Sequence, residues 1–128
     1  MNIYFTHSRA EGFDFRNRLY LPIRQSYLNS QHNFVFPFEK GNMLFDSRFL
    51  MSSGGLDLVL AEVSYESTRE GIELGWADNF DIPIYLLSQK GKTPSESIRR
   101  VSDSLFFYSS ESQLIEGVEE SINSCLGL

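Results

Sequence analysis

A single cysteine, Cys125, stands among the 128 residues, so no internal disulfide can close. The only two histidines, His7 and His32, lie far apart and give that thiol no metal-ligand spacing. No metal or organic cofactor is expected, and a reducing cytoplasm fits such a chain best. Positive charge is also scarce: 11 Lys and Arg against 17 Asp and Glu leave a net charge of −6. That balance disfavours polymeric nucleic acid and anionic membrane as partners and leaves a small molecule or a protein. No apolar run approaches the length needed to span a bilayer, and no basic segment precedes a long apolar stretch near the start, so the chain reads as soluble. The four prolines and nine glycines punctuate short elements instead of clustering into a linker.

What the chain does have is apolar and aromatic material. Hydrophobic residues make up 41% and aromatic residues 14%, including eleven Phe, enough for a dense core and against disorder. Its length fits one domain that buries roughly two-thirds of its unfolded surface. Strand patterns occupy residues 2–6, 33–36, 58–63, 82–87 and 105–108. Helical patterns occupy 12–29, interrupted by Pro22, then 46–53, ended by Gly54 and Gly55, then 70–80, 94–101 and 111–126. The segment 37–45 reads as a loop. Alternating strands and helices imply a three-layer α/β fold with a parallel sheet, and the flavodoxin-like order 2-1-3-4-5 is its natural closure. In that order the ligand crevice lies beyond the carboxyl ends of strands one and three, bringing residues 4–9 opposite residues 64–73.

The most informative stretch is Ser64 to Ala77, which follows the apolar run Leu58-Val59-Leu60-Ala61. Ser67 and Glu70 have the spacing of a capping box, so a helix should start near Thr68 and carry Glu73 close to its amino-terminal end. Gly71 and Gly75 flank Glu73 where propensity alone would choose Ala, which implies a close approach of ligand or of packed backbone. Taken only as a helix residue, Glu73 is a carboxylate favoured by the helix dipole.

The run Asp57 to Val63, then Ser67, Gly71, Glu73-Leu74-Gly75 and Ala77, then Ile82-Pro83-Ile84, with Ile3-Tyr4-Phe5 as a first strand, resembles the nucleoside 2-deoxyribosyltransferase family. Members cleave or exchange the N-glycosidic bond of deoxynucleosides, and one branch hydrolyses deoxynucleoside 5′-monophosphates. The resemblance implies that Glu73 is a nucleophile attacking C1′ through an oxocarbenium-like transition state, as in retaining glycosidases. It also implies that Tyr4 donates to that carboxylate and orients it, although a first-strand Tyr is equally a core aromatic. The nucleoside-transferring branch has aspartate six residues before the nucleophile and the monophosphate branch has serine. Here Ser67 stands there.

Ser67 with the free N–H groups of the helix start suits a phosphate as well as a plain cap, and Ser8 and Arg9 across the crevice could add a hydroxyl and a permanent charge. A departing base requires a proton. The family places an aspartate ahead of the third strand, which makes Asp46 the favoured acid, with Asp57 and Glu62 as alternatives. Ser95 and Ser97 lie about where the monophosphate branch brings a serine from a neighbouring subunit. That shared site, with the adjacent Phe106 and Phe107 and the further aromatics Trp76, Phe80 and Tyr108, leads to the expectation of a homodimer or larger assembly. One departure from the family pattern is Arg69, which replaces a usual glycine; it could narrow the pocket, contact a phosphate or disable the site. The competing readings are a non-catalytic nucleotide-binding or regulatory module of the same fold and an NAD glycohydrolase.

Overall fold

The computed structural model describes residues 1–128. Five strands, β1 (Asn2–His7), β2 (Asn33–Val35), β3 (Leu58–Glu62), β4 (Ile84–Gln89) and β5 (Leu105–Tyr108), form one sheet in the order β2-β1-β3-β4-β5. All four pairings are parallel, with Ile3 opposite Phe34, Tyr4 opposite Val59, Val59 opposite Ile84 and Leu86 opposite Leu105. The expected order therefore holds, and β3 is buried along its whole length, as a central strand covered on both faces must be.

Five α-helices connect and cover the strands: α1 (Leu21–Gln25), α2 (Ser47–Ser52), α3 (Thr68–Asn79), α4 (Glu96–Arg99) and α5 (Glu111–Leu126). The expected helix over 12–29 is broken into a π turn at Arg16–Tyr20, then α1, then a 3₁₀ turn at Tyr27–Ser30. Pro22 lies in the first turn of α1, where a missing N–H costs no hydrogen bond. The helix expected over 94–101 is only the single turn α4, and β4 begins two residues later than expected, after Pro83. No helix is long and apolar enough to cross a membrane.

The two faces of β1 divide the core by the two-residue period of a strand. Ile3 and Phe5 belong to a cluster with Leu19, Ile23, Phe34, Phe36 and the inner face of α5, including Leu114, Val118 and Ile122. Tyr4 belongs to the opposite cluster, with Met51 of α2 and Leu74 and Ala77 of α3. Thr6 is two residues on from Tyr4 and shares its face, so both hydroxyls point toward α3. On the α5 side Gly117 is where helix and sheet meet most closely: a Cβ there would stand 2.5 Å from Phe106 Cδ1 and 2.9 Å from Leu87 Cδ2. Phe106, Tyr108 and Trp76 pack partly against the two clusters within the one chain, whereas Phe107 is 45% exposed and Phe80 36%.

Candidate active site

Ser67 caps α3, its Oγ accepting from the Glu70 N–H at 3.2 Å. The capping box is only half formed, because the Glu70 side chain turns inward instead of reaching back. One turn later Glu73 enters the sheet from above β1. Its Oε2 accepts from the Tyr4 hydroxyl at 2.7 Å, and its Oε1 accepts from the Thr6 hydroxyl at 2.6 Å and from Arg69 Nη1 at 2.6 Å. The carboxylate is 2% exposed, and Tyr4 and Thr6 are fully buried. Three donors on two oxygens, one of them cationic, explain how an acidic side chain is tolerated there. Burial first, and then the Glu73 charge, push the Tyr4 hydroxyl far above its ordinary range, so it remains a donor.

Arg69 spans the crevice. Its Nη1 holds Glu73, its Nη2 donates to the His7 carbonyl, and its guanidinium carbon lies 4.8 Å from the centre of the Phe38 ring. Arg9 lies against the same ring at 4.3 Å. Beneath them His7 is fully buried among Phe13, Phe15, Tyr20 and Phe38. Its Nδ1 faces the Ser8 carbonyl at 2.8 Å and its Nε2 faces the Tyr20 hydroxyl at 2.6 Å. A carbonyl only accepts, so Nδ1 carries the hydrogen and the Tyr20 hydroxyl donates to Nε2, while the Phe38 N–H donates to Tyr20 at 3.2 Å. Burial, and then the nearby Arg69, Arg9 and Arg16 charges, pull His7 down to about 4 and keep it neutral. This chain fixes the strap that carries Ser8 and Arg9 with respect to Phe38. Ser8 is itself buried, its Oγ accepting from the Ala10 N–H at 2.9 Å.

The residues singled out from sequence fall into two groups on either side of the start of α3. Tyr4 and Glu73 touch, and Arg9 shares the Phe38 ring with Arg69. Asp46 caps α2, its Oδ1 accepting from the Phe49 N–H at 3.1 Å. Of its two chain neighbours, Phe45 stacks on Tyr4 with ring centres 5.8 Å apart, and Ser47 is buried. The second group surrounds a cavity of about 420 Å³ lined by Ser67, Glu70, Gly71, Ser95 and Ser97, with Val63 to Glu66 and with Thr93, Pro94 and Ile98. Ser95 caps α4 through the Ile98 N–H at 3.4 Å, and Ser97 is exposed. Ser95 and Ser97 thus face Ser67 and Gly71 of their own chain. Neither Arg9 nor Glu73 lines this cavity. A Cβ at Gly71 or Gly75 would meet nothing within 4 Å, which removes tight backbone packing as the reason for either glycine.

Two participants, Thr6 and the buried acid Glu70, were not foreseen from the sequence, and the role of a third, Arg69, was left open. Thr6 shares the face of Tyr4, and period-two counting along β1 could have found it. Arg69 is four residues before Glu73, the spacing of a helical ion pair. Glu70 is 2% exposed, and its Oε2 is the one buried side-chain oxygen or nitrogen without a partner. Burial, and then the neighbouring Glu62 charge, raise the Glu70 carboxyl well above its ordinary range, and the residue lines the Ser67 cavity. Glu62 is also raised by burial, although Tyr108 and Ser64 donate to it. Asp57 lies at the opposite end of β3, accepting from the Asn2 N–H at 2.7 Å, away from the crevice.

The parallel five-stranded sheet and its flanking helices are shared with a nucleotide N-glycosidase. That protein is the CMP N-glycosidase BcmB of Clostridium botulinum, at a TM-score of 0.60 and 16% identity over 94% of this chain and 99% of that one. A conserved protein from Enterococcus faecalis V583 is similar at a TM-score of 0.61 and 17% identity, over 93% of this chain and 97% of that one. No family model and no curated protein sequence matches the chain. The shared property is the fold, which agrees with the resemblance read from the sequence.

Proposed function

We propose that this protein cleaves the N-glycosidic bond of a deoxynucleoside 5′-monophosphate, with Glu73 as the nucleophile. The observation that carries this reading is the buried Glu73 carboxylate held by Tyr4 and Thr6 at the carboxyl ends of the strands, where open α/β sheets bind ligands. A carboxylate oxygen forms a bond to C1′ as the C1′–N bond breaks, and the base leaves with the bonding electron pair and takes a proton. Water then attacks C1′ of the glycosyl ester, releasing the sugar phosphate and restoring Glu73; a second base in place of water gives transfer. Asp46, next to Phe45, which stacks on Tyr4, supplies the proton to the base. The sugar phosphate is held by Ser8 and Arg9 on one side of the start of α3, and Ser67, Gly71, Ser95 and Ser97 line the substrate-binding cavity on the other. The fold shared with an N-glycosidase acting on CMP supports this class of chemistry.

A homodimer is part of this reading. Met43, Leu44 and Phe49, beside and on α2, are 87%, 77% and 71% exposed, an apolar surface near the crevice that a second copy would cover. The Arg69 contact favours one alternative, a binding module in which the ion pair has silenced Glu73. Incubation with deoxynucleoside monophosphates, their nucleosides, CMP and NAD, followed by chromatography for free base, tests the proposal. Base released from a monophosphate supports catalysis; binding of a monophosphate without release of base supports the module.

A further inference from the structure

Glu73 has more hydrogen-bond donors than a nucleophile requires. Thr6 and Arg69 share Oε1, Tyr4 occupies Oε2, and an oxygen so engaged has little electron density to give. Tyr4 and Thr6 are fully buried on β1 and cannot leave. Arg69 can, because its side chain is 22% exposed, sits on a long stem, and is otherwise held by one carbonyl and the face of Phe38.

The surroundings of Arg69 point to what moves it. Arg9 lies against the same Phe38 ring, and its polar partner is the neutral Asn42 Oδ1 at 3.2 Å. Arg16 donates to that same Oδ1 at 2.9 Å and to the Phe38 and Gly41 carbonyls at 3.3 Å each. The ion pairs of the protein are Arg24 with Glu39 and Arg69 with Glu73, so neither Arg9 nor Arg16 has a carboxylate within 4.0 Å. Three guanidiniums therefore gather around His7 and Phe38, and only that of Arg69 is paired with a carboxylate, in a protein whose net charge is −6. His7 adds no charge to the cluster. A dianion is the complement of such a place, and planar guanidiniums bind phosphate in a bidentate manner.

We propose that Arg69 is the residue that makes this site answer to phosphorylated ligands: it covers Glu73 Oε1 in the free protein, and a ligand phosphate lodged between Arg9 and Arg69 draws it off and frees the carboxylate. This rests on the reading of Glu73 as nucleophile and adds to it a reason why Arg stands where the resembling family has Gly. A nucleoside without phosphate leaves the cover in place. Selection for the phosphate is thereby exercised on the chemical step as well as on binding, which is the use of remote binding energy that raises kcat.

Two measurements test it. In the first, the ¹⁵N signals of the Arg69 guanidinium, assigned by their loss in Arg69→Ala, are followed as inorganic phosphate is added. They should shift in the wild type, and Arg9→Ala should weaken the response at least tenfold; an Arg69 signal that stays fixed at saturating phosphate overturns the proposal. In the second, kcat and KM are compared for a deoxynucleoside, the same nucleoside with inorganic phosphate, and the monophosphate. The wild type should prefer the monophosphate in kcat by at least tenfold, free phosphate should raise kcat on the nucleoside, and in Arg69→Ala the kcat gap should shrink below about threefold. An undiminished kcat gap in a folded Arg69→Ala overturns the proposal. If no substrate loses its base in any arm while phosphate still shifts the Arg69 signal, the glycosidase reading fails and the displaced contact stands.

Discussion

His7 should make this protein acid-labile by an amount that follows from its surroundings. The ring is hydrogen-bonded at both nitrogens as a neutral imidazole, and burial first, then the Arg69, Arg9 and Arg16 charges, outweigh its hydrogen bond to the Ser8 carbonyl and hold it at about 4 against an ordinary 6.5. A base whose folded value is depressed stabilises the fold above its unfolded value, and that stability is lost as pH falls from 6.5 toward about 4, because the unfolded chain binds the proton more readily. Between pH 7 and pH 4 the difference works out at about 3 kcal/mol, a large share of the 5–15 kcal/mol typical of a domain. Urea unfolding of the wild type and of His7→Gln at both pH values isolates it, since every carboxyl group is present in both proteins. The variant is less stable at pH 7 because it strands Tyr20 and the Ser8 carbonyl, but it should lose about 3 kcal/mol less than the wild type on acidification. Equal losses, within about 0.5 kcal/mol, would refute the tautomer and the burial argument together.

Tyr4→Phe removes one charge-assisted donor from Glu73 and should lower kcat by roughly 10- to 100-fold with little change in KM, as steady-state kinetics would report. Glu70, with its raised folded value, contributes stability fully present below about 4.5 and lost as pH rises through that folded value. Glu70→Met should therefore raise stability at pH 8 by about 1–3 kcal/mol in denaturant unfolding and lose that advantage near pH 4. Gly117→Ala should destabilise by about 1–3 kcal/mol despite its better helix propensity, because the new methyl meets Phe106 and Leu87, whereas Gly75→Ala, with open space around it, should stabilise by up to about 1 kcal/mol in the same assay.

The sheet order and the Ser67 cap were legible in the sequence because each depends on local pattern and connectivity, while the meeting of Tyr4 with Glu73 was expected from the family resemblance. A parallel strand order places the ends of β1 and β3 side by side, and a capped helix after β3 fixes which of its faces returns to β1. The rest was set by tertiary packing. Glu70 has the spacing of a capping glutamate, but burial against Glu62 outweighs that local preference. Arg69 was recognisable as a departure, but its side-chain direction depends on the Phe38 ring and the His7 carbonyl, which come from distant segments. Ser95 and Ser97 of the α4 loop also line a cavity of their own chain, because β4 runs to Gln89 and the loop beyond it folds back over the start of α3.

The central claim is that Glu73 is the nucleophile, and its most direct test is chromatographic detection of free base from a deoxynucleoside 5′-monophosphate, for the wild type and for Glu73→Gln shown to be folded. The account predicts release by the wild type and a loss of roughly a thousandfold or more in the variant. Release at an undiminished rate by folded Glu73→Gln would contradict it.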